Sequence, residues 1–161
     1  MKTTILATIA VALFSASAAS ASARPAGPVT ITTNLSFPSY PAHPPNVGTY
    51  TGTFSASDAS GTFDSGTVTA QTLIAAVPSP STGVLHTNRT LTSTDGTLQL
   101  RCTEIAKSFS DPSAVPGSGT CAVLSATGVY AELAGSGKVQ SLANLTTVPE
   151  AFTDTLVLGT Q

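Results

Sequence analysis

The chain has no tryptophan, one methionine, two cysteines and two histidines, and only 9% of its 161 residues are charged. Each scarcity excludes something. A nucleic-acid binder needs clustered Lys and Arg to displace counterions from phosphates. Here Arg24, Arg89, Arg101, Lys107 and Lys138 are scattered, which argues against nucleic acid as a partner. His43 and His86 stand alone, with no Cys or carboxylate at ligand spacing, so no metal site is expected. No nucleophile-elbow G-x-S-x-G, Walker or dinucleotide fingerprint occurs, so no cofactor is expected either. Beyond the N-terminus no apolar run approaches the roughly 20 residues that a membrane-spanning helix requires.

The N-terminus reads as an export signal. Lys2 precedes the apolar run Ile5–Phe14, and Ala21-Ser22-Ala23 fits an A-x-A cleavage site. Residues 24–161 then form the expected mature chain, with five Lys and Arg against eight Asp and Glu, a formal charge of −3. The expected location is outside the cell or in a periplasm. In such an oxidising compartment Cys102 and Cys121 are expected to pair. The bridge would contribute about 3 kcal/mol by the chain-entropy estimate.

What the chain does have is hydroxyl and turn chemistry: 27 Thr, 20 Ser, 13 Gly and 11 Pro. Threonine suits pleated, half-exposed strands. Strand signals with alternating apolar residues fall at Val29–Phe37, Val47–Ala56, Thr62–Val77, Val84–Thr92, Leu98–Ile105, Thr120–Ser125, Gly137–Leu145 and Phe152–Gly159. Asp58–Gly61 and Thr94-Asp95-Gly96 read as turns, Ser65-Gly66 as a bulge or bend, and Ser108–Gly119 as a loop. Phe37–Val47, with four prolines, reads as a stiff connector. The expected fold class is all-β, a single antiparallel barrel of about eight strands, with a β-sandwich as the rival. The expected organisation is a signal peptide (1–23), an N-terminal strand and Pro-rich connector (24–46) and a barrel domain (47–161).

The stretch Ala126–Val139, ATGVYAELAGSGKV, sets Gly128, Gly135 and Gly137 around Tyr130 and Leu133. It reads as a strand, a tight corner containing at most one helical turn, and a second strand. With Gly119-Thr120-Cys121 before it, it resembles the T-G-x-Y-x-x-L-x-G-x-G pattern of secreted proteins similar to the allene oxide cyclase and dirigent β-barrels. The resemblance spans roughly Gly48 to Gly159. It implies a barrel fold and leaves open a homo-oligomer, since the similar barrels trimerise. The residues that catalyse cyclisation or guide coupling in those families do not map onto this chain.

Several residues are candidates for a site. Alternation sets Glu104 on the face of Leu98, Leu100 and Cys102. In an apolar lumen its pKa would rise and it could act as a general acid or base. At the strand end beside Ser108–Gly119 it would instead be solvated. Tyr50, Phe54, Leu98, Leu100 and Tyr130 are candidates to line a ligand cavity, and core packing is the alternative for each. Glu132 reads as a surface group of the glycine-rich corner. Asn34, Asn88 and Asn144 head N-x-S/T triplets that a eukaryotic secretory path could glycosylate. The expected function is a secreted, non-catalytic barrel binding a small hydrophobic ligand. The alternatives are a lumen isomerase or cyclase acting on a lipid-like or phenolic substrate, and a structural or host-surface protein working through its Thr-rich exterior.

Overall fold

A computed structural model describes residues 25, 27–37, 47–79 and 82–159. Residues 1–23, where an export signal is expected, and the proline-rich residues 38–46 with His43 lie outside the described residues. Eight strands follow in order: β1 (Val29–Phe37), β2 (Val47–Asp58), β3 (Gly61–Ser79), β4 (Thr82–Thr92), β5 (Thr97–Lys107), β6 (Val115–Ala126), β7 (Ser136–Asn144) and β8 (Glu150–Leu158). Each pairs antiparallel with its sequence neighbour, and β1 pairs with β8 from Val29 opposite Leu158 to Phe37 opposite Glu150. The sheet therefore closes into one up-and-down barrel, not a sandwich, with no edge strand among the described residues.

Period-two alternation builds the wall. In β1, Val29, Ile31, Thr33, Leu35 and Phe37 are buried, while Thr30, Thr32, Asn34 and Ser36 face outward. Exposed Thr49, Thr51 and Thr53 of β2 alternate with buried Tyr50 and Phe54. The hydroxyl-rich composition is thus the outer surface of the barrel, and the apolar residues are its filling.

Hairpin turns connect the strands with local side-chain bonds. Asp58 Oδ1 accepts from the Ser60 backbone N–H at 2.8 Å and from its hydroxyl at 2.6 Å, and Gly61 follows at φ 120°. Between β4 and β5, Ser93 Oγ accepts from the N–H groups of Asp95 and Gly96, both at 3.1 Å. These are the turn roles in which Asp, Ser and Gly excel.

Two expectations are corrected. The pairing of β2 with β3 shifts register between Ala56 and Ser57, which leaves Phe63 as the extra residue, so the bulge does not lie at Ser65-Gly66. Gly66 is needed for another reason: a Cβ there would lie 2.2 Å from the Thr92 carbonyl oxygen. The segment Ser108–Gly119 is a loop only as far as Ala114. From Val115 onward it is β6, with Gly117 and Gly119 paired to both β5 and β7. Two neighbouring strands supply the hydrogen bonds, which overrides the weak strand preference of Pro and Gly.

One end of the barrel is plugged. After β6 a single 3-10 turn, Gly128–Tyr130, drops Val129 and Tyr130 into the lumen, and Leu133 follows. Gly128 sits at φ 60°, and a Cβ there would lie 1.9 Å from the Asp95 carbonyl oxygen, so only glycine fits. Tyr130 is fully buried and its hydroxyl donates to Asp64 Oδ2 at 2.5 Å, while Ser93 Oγ donates to the same oxygen at 2.7 Å. The plug is therefore tied to β3 and to the β4–β5 turn by charge-assisted bonds.

Candidate functional site

The lumen changes character along its axis. In the plugged half the inward positions carry large side chains such as Ile31, Phe54, Leu98, Leu100, Tyr130 and Leu156, and they pack solidly. In the other half they include Gly83, Ala106, Gly117 and Ala143. Small residues there leave a cavity of about 310 Å³, within the range of small-molecule sites. Its wall is mostly apolar, with Leu35, Tyr50, Leu85, Val115, Leu145 and Phe152 around it. Phe109, in the β5–β6 loop, adds an aromatic ring beside Gly83. That loop is tied to the β7–β8 loop, where the Leu145 N–H donates to the Pro112 carbonyl at 2.8 Å.

Three ionisable side chains floor this cavity. Arg89 on β4, Glu104 on β5 and Asp154 on β8 are 4%, 5% and 2% exposed. Strands β4 and β8 stand four apart in either direction around the barrel, so Arg89 reaches across the lumen to the opposite wall. Its Nη1 meets Asp154 Oδ2 at 2.6 Å, and its Nη2 pairs with Glu104 Oε1. Thr33 Oγ1 donates to Asp154 Oδ2 at 3.1 Å, and the Ser141 hydroxyl bonds the Glu104 carboxyl. Thr72 and Thr87 share a hydroxyl bond of 3.2 Å beside them. One polar atom of the group, Arg89 Nε, is buried without a partner among the described residues.

The electrostatics follow from the burial. Loss of water raises the Glu104 carboxyl above its ordinary value of 4.5; Arg89 opposes the rise, Asp154 adds to it, and the Ser141 bond opposes it. A single cation faces two carboxyl groups, and a protonated Glu104 leaves the set neutral. Burial and the bond to Asp64 likewise raise the Tyr130 phenol at the plugged end, which keeps it a neutral donor.

The disulfide lies just beneath the floor. Cys102 and Cys121 are directly opposed on β5 and β6, bridged, and fully buried facing inward. Glu104 is the next inward residue on β5, so the bridge pins the strand pair that presents it.

The structure sorts the sequence candidates by the two halves of the lumen. Glu104 is buried in the floor, not solvated at a strand end. Tyr50 lines the cavity, with ring contacts to Phe37 at 4.6 Å and Phe152 at 4.9 Å. Phe54, Leu98, Leu100 and Tyr130 belong to the packed half, where Phe54 lies 6.4 Å from Tyr130. Glu132 is half-buried at the plugged corner. His86 faces outward on β4, its Nδ1 3.1 Å from Thr103 Oγ1. Asn34 and Asn88 are exposed on strands, and Asn144 closes β7 with its Oδ1 accepting from Thr146.

Arg89 and Asp154 escaped the sequence reading. The signal was present: Leu85, Thr87, Arg89 and Leu91 share one face of β4, and Phe152, Asp154 and Leu156 one face of β8. A charge at an inward position of a barrel strand requires a buried partner. No family model, curated protein or solved structure matches the chain.

Proposed function

We propose that this chain is a secreted, non-catalytic carrier that holds a small, largely hydrophobic molecule in the open half of its barrel. One observation carries the reading: an apolar cavity of about 310 Å³ ends on the buried Arg89–Glu104–Asp154 floor. An apolar wall drives a ligand out of water, and a few convergent polar groups orient it. The Cys102–Cys121 bridge and the signal-like residues 1–23 support an extracellular or periplasmic setting. Kinship with the allene-oxide-cyclase-like barrels belongs to the same proposal, and the glycine-and-tyrosine block that suggested it forms the plugged corner.

A second reading, an isomerase or cyclase, is favoured by Glu104 alone. A carboxyl raised by burial at the base of an apolar cavity is equipped to give a proton. Arg89 and Ser141 already engage it, which supports a structural acid over a mobile one.

Native mass spectrometry of the exported protein tests the carrier reading. A co-purifying molecule, or saturable binding of the neutral dye N-phenylnaphthylamine, is the expected result. A chain that carries nothing and leaves the dye dark overturns it. Chemical conversion of a captured molecule would decide for the enzyme.

A further inference from the structure

An arginine in an apolar cavity ordinarily marks a receptor for carboxylates, because its planar fork matches two oxygens. Here that fork is taken. Nη1 holds Asp154 and Nη2 holds Glu104, so both arms of the guanidinium already face the protein's own carboxyl groups. Each of those nitrogens keeps a second N–H, and Nε is a further N–H donor that is buried and without a partner among the described residues. The hydroxyls of Thr72 and Thr87 lie in the same lining, and their mutual bond uses only one of two hydroxyl protons.

Resting on the carrier reading above, we infer that the lumen selects neutral molecules bearing one hydrogen-bond acceptor, such as a compact ketone, ester or ether, and rejects acids and amines of the same shape. A ligand carboxylate would become the third acid group around one cation in a site that excludes water, where like charges are costly. A ligand ammonium would be a second cation beside the guanidinium, and the two carboxyl groups that could offset it are already held by Arg89, Ser141 and Thr33. A neutral carbonyl oxygen accepts from Nε and asks for no further charge. It also relieves the one unsatisfied polar atom of the floor, which burial makes costly.

Size sets a further bound. At about 30 Å³ per water-sized unit, the cavity holds roughly ten such units. The cavity is open at its mouth, so this volume bounds the buried end of a ligand and not its whole length.

Three compounds of matched shape and heavy-atom count decide the question: cyclohexyl methyl ketone, cyclohexanecarboxylate and cyclohexylethylamine. Each is titrated into the whole exported protein at neutral pH, and binding is read from protein NMR shifts. The expected result is that the ketone binds at least about tenfold more tightly than either ion, a difference of about 1.4 kcal/mol. Equal or tighter binding of the carboxylate or the amine overturns the inference while leaving the carrier reading intact. Binding of none of the three, together with a dark dye, overturns the carrier reading and this inference with it. The double variant Glu104→Gln with Asp154→Asn keeps the shape and leaves Arg89 uncompensated. In folded double variant the preference moves at least about tenfold toward the carboxylate. An unmoved preference overturns the charge argument. If that variant does not fold, the three titrations of the native chain still decide.

Discussion

At the residue scale, the floor of the cavity behaves as a unit. Arg89 is buried with two carboxyl partners, and none of the three could sit there alone. Removing one member of a buried ionic set leaves the others uncompensated, at a cost of about 3–5 kcal/mol, whereas replacing the whole set with apolar groups of similar volume is often neutral. Arg89→Met is therefore expected to destabilise the barrel by about 3–5 kcal/mol. The triple change Arg89→Met, Glu104→Leu, Asp154→Leu is expected to recover most of that loss. Urea unfolding of both variants checks it, and a triple variant as weak as the single one would show that the floor is not a compensated charge set. The triple variant would also lose the neutral-ligand preference, since the Nε donor goes with Arg89. Glu104 was legible as an inward residue from the alternation of β5. Its partners were not, because Arg89 and Glu104 are 15 residues apart and Arg89 and Asp154 meet only across the lumen.

At the element scale, side-chain size along the strands separates a packed half from an open one. β4 runs from Gly83 at the mouth to Leu91 in the core, and β5 from Leu98 in the core to Ala106 at the mouth. β6 repeats the pattern, with Cys121 bridged inside the wall and Gly117 lining the cavity. Gly83 is the place to test this. A Cβ there meets the Phe109 ring at 3.5 Å, an ordinary contact, so a side chain enters without a clash to the backbone. Gly83→Leu is expected to cut N-phenylnaphthylamine affinity at least about tenfold, while stability shifts by less than about 1 kcal/mol. Unchanged dye affinity in a folded Gly83→Leu protein would place the dye elsewhere. Most strands could be read from the sequence to within a few residues. The exception is the start of β6, where Pro116, Gly117 and Gly119 read as loop and only the ladders from β5 and β7 hold them extended.

At the scale of the whole molecule, closure of the sheet links pH to stability through the lumen. Folding moves Glu104 from water into the barrel, and burial raises its pKa above 4.5. The native state then keeps a proton that the unfolded chain releases. Its contribution favours the fold fully below about pH 4.5 and is lost as pH rises through the native value. The groups facing it are Arg89 from β4, Asp154 from β8 and the Ser141 hydroxyl from β7. Glu104→Gln removes the titration and keeps the shape. Its melting temperature is expected to gain on that of the native chain as pH climbs from about 4.5 toward neutrality. Melting curves across that range check it, and parallel curves would show that Glu104 folds without a raised pKa.

The sequence by itself determined the all-β class, the strand count, the outward hydroxyl face and the candidate cysteine pair. Those follow from alternation, turn residues and composition, which are local properties of the chain. Only the tertiary structure decided that the sheet closes, that Tyr130 plugs one end and that the other end holds a cavity. It alone joined Arg89, Glu104 and Asp154. The reason is physical: a strand's pattern states which residues face inward, but the partner of an inward charge is set by strand stagger and barrel diameter. Those belong to the closed ring of eight strands and to no single strand.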